Sequence, residues 1–89
     1  MIRISVAEST GDAVTLLVEG KVVGEAVDEL RSACDRALAE GRRLTLNLSG
    51  VAFVDRAGVV VLRDLAARSV GLIHGSSFVS EQLKAHDPE

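Results

Sequence analysis

The sequence predicts a small α/β sandwich, a mixed four-stranded sheet with helices mainly on one face. Three observations predict it. Segments of period two alternate with segments of period three to four in the order strand, strand, helix, strand, helix, strand, helix. A short turn joins the first two strand patterns, which calls for antiparallel pairing. Helices separate the later ones, which favours parallel pairing through right-handed crossovers. The third strand pattern has one apolar and one polar side, so one face of the sheet is left to water.

Each element follows from its pattern. Ile2, Ile4 and Val6 alternate with Arg3 and Ser5, which reads as a first strand; Thr10-Gly11-Asp12 is a turn. Ala13 to Glu19 is a second strand with Val14, Leu16 and Val18 on one side, and Gly20 to Gly24 reads as a loop bracketed by glycines. From Glu25 the period changes. Val27, Leu30, Cys34, Ala37 and Leu38 make one apolar helical stripe, and Gly41 stops the helix. On its outer side Arg31 with Asp35, and Arg36 with Glu40, are spaced for weak pairing across one turn. Leu44, Leu46 and Leu48 alternate with Thr45 and Asn47 in a third strand that Ser49-Gly50 ends. Asp55 has the form of an N-cap, and the second helix is expected over Ala57 to Ala67. Val70 to Ile73 reads as a fourth strand. Ser76 or Ser77 caps a last helix carrying Val79 and Leu83. Residues 1–84 form one domain and 85–89 a polar tail.

Composition narrows the function. The chain of 89 residues is 47% hydrophobic, enough for a packed globule. Phe53 and Phe78 are its only aromatic residues, so the core is expected to be aliphatic. Thirteen acidic residues against ten basic ones give a net charge of -3, which offers no attraction to phosphate backbones and argues against nucleic-acid binding. Cys34 is the only cysteine, which excludes an internal disulfide and fits a reducing compartment. No apolar run reaches membrane-spanning length, and a soluble, cytoplasmic protein is expected. The glycines form no phosphate-cradling motif, and no Ser, His and acid cluster is visible. His74 and His86 lack partners at metal-ligand spacing, and His74 reads as an end-of-strand surface residue. Neither a metal nor a cofactor is expected, and catalysis is the least supported class.

The stretch Leu46-Asn47-Leu48-Ser49-Gly50-Val51-Ala52-Phe53-Val54-Asp55-Arg56-Ala57-Gly58-Val59 resembles the signature of STAS domains. In that family an apolar strand runs through a Ser-Gly-Val-type turn to an apolar pair. Asp, Ser, Ser or Thr, and Gly then open a helix. Asp55 and Gly58 match the outer two of those four positions; Arg56 stands where the phosphorylated serine would be, and Ala57 replaces the second hydroxyl residue. Val18-Glu19-Gly20 and Leu72-Ile73-His74-Gly75-Ser76 are similar to flanking family elements, so the resemblance spans roughly Ile2 to Leu83. Val23 occupies the place of an Asp that supports the phosphorylation site in switchable members, and no final strand follows the last helix pattern.

The resemblance implies a non-enzymatic regulatory module, similar to anti-sigma factor antagonists, that binds a protein partner. The partner would be an anti-sigma factor, a related kinase-fold protein or another STAS-containing regulator. The implied contact residues are Val23, Gly24, Asp55, Arg56, Ala57, Gly58, Val59 and Val60. In the family a phosphate at the helix start is stabilised by free N–H groups and the helix dipole, and its charge then repels the partner. Arg56 cannot accept that phosphate. It also puts a positive charge at the positive helix end, at a cost of roughly 0.3–1 kcal/mol if exposed. It either meets an acidic partner group or is tolerated after loss of the switch. Asp55 is either a plain N-cap or a functional carboxylate. The run Val59-Val60-Val61-Leu62 means either a helix buried on two sides or an exposed apolar patch at Val60. Two other roles stay open: an accessory subunit on the ATPase of a lipid-transport ABC assembly, and a small-ligand or nucleotide sensor.

Overall fold

A computed structural model describes residues 2–85. The elements are β1 (Ile2–Ser9), β2 (Ala13–Val22), α1 (Glu25–Ala39), β3 (Arg43–Val54), α2 (Arg56–Ala67), β4 (Gly71–Ile73) and α3 (Ser77–Ala85). They form one four-stranded sheet in the order β1-β2-β3-β4. β1 and β2 pair antiparallel, and β2 with β3 and β3 with β4 pair parallel, as the connections require. The tail expected over 85–89 does not begin at Ala85, which is the last residue of α3, and the rest of it, His86 included, lies outside the described residues.

The alternation places Val14, Leu16 and Val18 of β2 and Leu44, Leu46 and Leu48 of β3 on the face that the helices cover, all buried. Thr15 and Leu17 of β2 and Thr45 and Asn47 of β3 point to the other face and are half-buried. α1 buries Ala26, Val27, Leu30 and Cys34, with Ala37 and Leu38 partly buried beside them. α2 buries Val59, Val61, Leu62 and Leu65, and α3 contributes Val79. The core is aliphatic, and both phenylalanines stay outside it, at 38% and 54% exposure.

Several element limits differ from the sequence reading. β2 does not stop at Glu19 but continues to Val22, so the expected loop from Gly20 to Gly24 shrinks to Val23 and Gly24. β3 does not end at Ser49-Gly50 but runs through to Val54. The reason is in the ladder. Leu17 faces Asn47 and Glu19 faces Gly50, and then Gly20 faces Val51 and Lys21 faces Phe53, so β3 carries an extra residue at two places. Gly50 also passes so close to Glu19 that a Cβ there would lie 2.6 Å from the Glu19 Cγ. What reads as a strand terminator is the residue that lets two strands pass.

Other details resolve alternatives. α2 begins at Arg56, one residue before the expected start. β4 is shortened to Gly71–Ile73, and Val70 is buried in the turn before it. Ser76, not Ser77, caps α3, its Oγ accepting from the Val79 N–H at 3.1 Å. The expected pairs along α1 do not form among the described residues. Asp35 instead meets Arg68 of the α2 terminus at 3.3 Å, and Glu40 meets Arg42 at 3.6 Å.

Candidate functional site

The C-terminal ends of β2 and β3 lie side by side, with Val22 opposite Val54. The chain leaves both strands at one end of the sheet and enters α1 and α2 there. In open α/β sheets the carboxyl ends of parallel strands are where loops and helix N-termini gather into binding surfaces.

Asp55 organises this end. Its N–H donates to the Val22 carbonyl at 3.1 Å. Its Oδ1 accepts from the Gly58 N–H at 2.7 Å, which caps α2. Its Oδ2 accepts from the Gly24 N–H at 3.0 Å, in the other loop. One carboxylate therefore ties the entry of α1 to the entry of α2. Gly24 has φ +57, a left-handed conformation that favours glycine, and α1 has no side-chain cap of its own. Gly58 is fixed by space. A Cβ at this position would stand 2.6 Å from the Val54 Cγ1 and 2.8 Å from the Val22 carbonyl oxygen. Only a glycine lets α2 start this close to the two strand ends.

The eight residues expected at the site divide into two groups. Arg56, Ala57, Gly24 and Val60 are exposed, and Val23 and Asp55 are half-buried. Gly58 and Val59 are buried, so they shape the tip from beneath. Within the apolar run, Val59, Val61 and Leu62 are buried and Val60 alone faces out, at 61% exposure. Arg56 makes no ion pair among the described residues. Beside the tip, Val23, Glu25, Ala26 and Glu29 line a depression of about 400 Å³. The tip thus presents one free cation and one free valine next to an acidic hollow.

Two features of the neighbourhood are absent from the sequence reading. Gln82 of α3 holds Val54, the residue before Asp55, by both ends of its side-chain amide. Its Oε1 accepts from the Val54 N–H at 3.2 Å, and its Nε2 donates to the Val54 carbonyl at 2.6 Å. A glutamine at a helical position carries no sequence signal for such a clamp. Phe53 and Phe78 stack with their ring centroids 6.0 Å apart and form an apolar patch between β3 and α3. Cys34 is fully buried in the core, and His74 is exposed directly after β4. No helix among the described residues is long and apolar enough to cross a membrane.

Comparison with known proteins agrees with this architecture. No curated protein matches the sequence. The fold is similar to the anti-sigma factor antagonist SpoIIAA in its unphosphorylated form, with a TM-score of 0.66 at 19% identity over 92% of this chain and 82% of that one. It is similar to the Bacillus cell fate determinant SpoIIAA in the phosphorylated form, with a TM-score of 0.66 at 20% identity over 93% of this chain and 82% of that one. An uncharacterized protein of the DUF3478 family with a SpoIIAA-like fold, from Shewanella loihica PV-4, gives 0.58 at 14% identity over 94% of this chain and 75% of that one. Identities this low speak for the fold alone. The family model described as Mlab, STAS domain matches residues 5–85, nearly the whole chain, and with the Asp55-capped helix start in place the chain belongs to the STAS domain family.

Proposed function

We propose that this chain is a non-enzymatic, cytoplasmic docking module that binds a protein partner through the tip formed by Val23, Gly24 and residues 55 to 60. The partner class is that of anti-sigma factor antagonists: an anti-sigma factor, a related kinase-fold regulator or another STAS-containing protein. The observation that carries this reading is the use of the Asp55 carboxylate. Both of its oxygens accept from backbone N–H groups, so it ties the entries of the two helices together and stiffens the surface they present. The exposed Arg56 and Val60 then form the contact, a charge beside an apolar anchor.

Occupancy of this tip is not switched by phosphate at position 56, because arginine offers a serine kinase no hydroxyl. Incubation with a cognate kinase and ATP, followed by mass spectrometry, tests this. The 55–59 segment is expected to stay unmodified, and phosphate found there refutes the reading. Calorimetry with a purified anti-sigma factor tests the partner class.

A second reading is an accessory subunit resting on the ATPase of a lipid-transport ABC assembly. Two observations favour it: the matching family model bears the Mlab description, and the phosphoacceptor is replaced by Arg56. Stable co-purification with a purified ATPase subunit and not with an anti-sigma factor decides for it.

A further inference from the structure

The sheet has two edges of unequal length. β4 offers three residues, whereas β1 offers eight and, among the described residues, pairs only with β2. An uncovered edge presents N–H and C=O groups to any other strand, and proteins usually blunt it with lysine, proline or an inward-pointing charge. β1 contains no lysine or proline. Its two charges, Arg3 and Glu8, lie opposite Glu19 and Thr15 on the open face of the sheet. On the helix side Ile4 and Val6 floor a groove of about 410 Å³ beside Ala33 and Ala37 of α1, and Val6 is 60% exposed.

We propose that β1 is a dimerisation edge, along which two copies of this chain pair antiparallel about a twofold axis at Ser5. The bulge decides the register. Val6 faces Leu16 and Glu8 faces Thr15, so Ala7 is the extra residue, and Val6 and Glu8 occupy consecutive ladder positions. About Ser5, Ile4 then faces Val6 of the second copy on the helix side, and Arg3 faces Glu8 of the second copy on the open side. Each contact occurs twice, as a twofold interface demands. Arg3 and Glu8 make no ion pair among the described residues of the chain, so both charges are available for this pairing. This complementarity of the strand with itself selects a second copy over an unrelated strand, and a slip by one residue destroys both matches. No residue of the docking tip lies on β1, so the dimer leaves that tip free. The interface is short, which makes the dimer concentration-dependent.

Sedimentation equilibrium of the full chain at low ionic strength, over a wide loading range, tests the proposal. A monomer–dimer equilibrium is expected. Arg3→Glu weakens it on the order of tenfold by setting like charges opposite each other, and Arg3→Glu with Glu8→Arg restores it. Ser5→Cys cross-links under mild oxidation because position 5 faces itself, whereas Arg3→Cys does not; Cys34 is buried and stays out of the reaction. The altered positions are exposed, and a thermal melt verifies folding. A monomer at every loading, a dimer that ignores Arg3→Glu, or a charge swap that fails to restore it overturns the proposal.

Discussion

Asp55 shows how much one side chain decides. With its cap on α2 and its bond to the Gly24 N–H, Asp55→Ala removes two hydrogen bonds at once. The expected loss is about 1–2 kcal/mol, measured by urea unfolding. Gly58→Ala is expected to cost more, about 1–3 kcal/mol, because the new methyl meets the Val22 carbonyl and the Val54 side chain and α2 must shift. Cys34 supplies a pH dependence. Burial, and after it the Asp35 charge, pushes its thiol from the ordinary 9.0 up to about 11, with Arg68 opposing in part. Between those values the unfolded chain has lost a proton that the folded chain keeps. The Cys34 contribution to stability is therefore full below pH 9 and is lost as pH rises toward 11, by at most about 1.4 kcal/mol per pH unit. Urea unfolding across that range checks the slope, which is expected to vanish in Cys34→Ala.

At the scale of elements, helix ends and strand passages govern stability. α2 closes with the Val70 N–H on the Leu65 carbonyl and the Ser69 N–H on the Ala66 carbonyl, both at 3.0 Å. Ser69, the middle one of the three residues between α2 and β4, has φ 71, where glycine is favoured. Ser69→Gly is expected to stabilise the protein by about 0.5–1 kcal/mol, seen as a rise of a few degrees in Tm. Arg42 joins distant connections: its guanidinium donates to the Ser9 hydroxyl and to the carbonyls of Thr10 and Ala13, at 2.7 and 3.1 Å for the last two, and so fastens the β1–β2 turn to the start of β3. The period changes made every strand and helix legible, and the aspartate before an apolar run revealed the start of α2 to within one residue. The lengths of β2 and β3 were not legible. Gly20, Ser49 and Gly50 are locally turn-forming, and only the partner strand keeps them within the two strands.

At the scale of the molecule, the sheet, the capped helix and the α3 clamp hold one surface still while leaving its outermost side chains unused. Arg56→Glu and Val60→Asp are therefore expected to leave the thermal melt nearly unchanged and to weaken partner binding about tenfold or more, measured by calorimetry. A variant that keeps full affinity moves the interface elsewhere. The sequence by itself determined the order and type of the elements, the aliphatic core and the capped start of α2, because periodicity and capping are properties of neighbouring residues. Only the tertiary structure decided that Val60 faces outward while Val59 and Val61 are buried, that both oxygens of Asp55 are occupied, that Gln82 clamps Val54, and that β1 keeps one edge unpaired among the described residues. Each of these depends on which segments meet across thirty or so residues of chain or at the margin of the sheet. Packing settles such meetings, and no local pattern carries them.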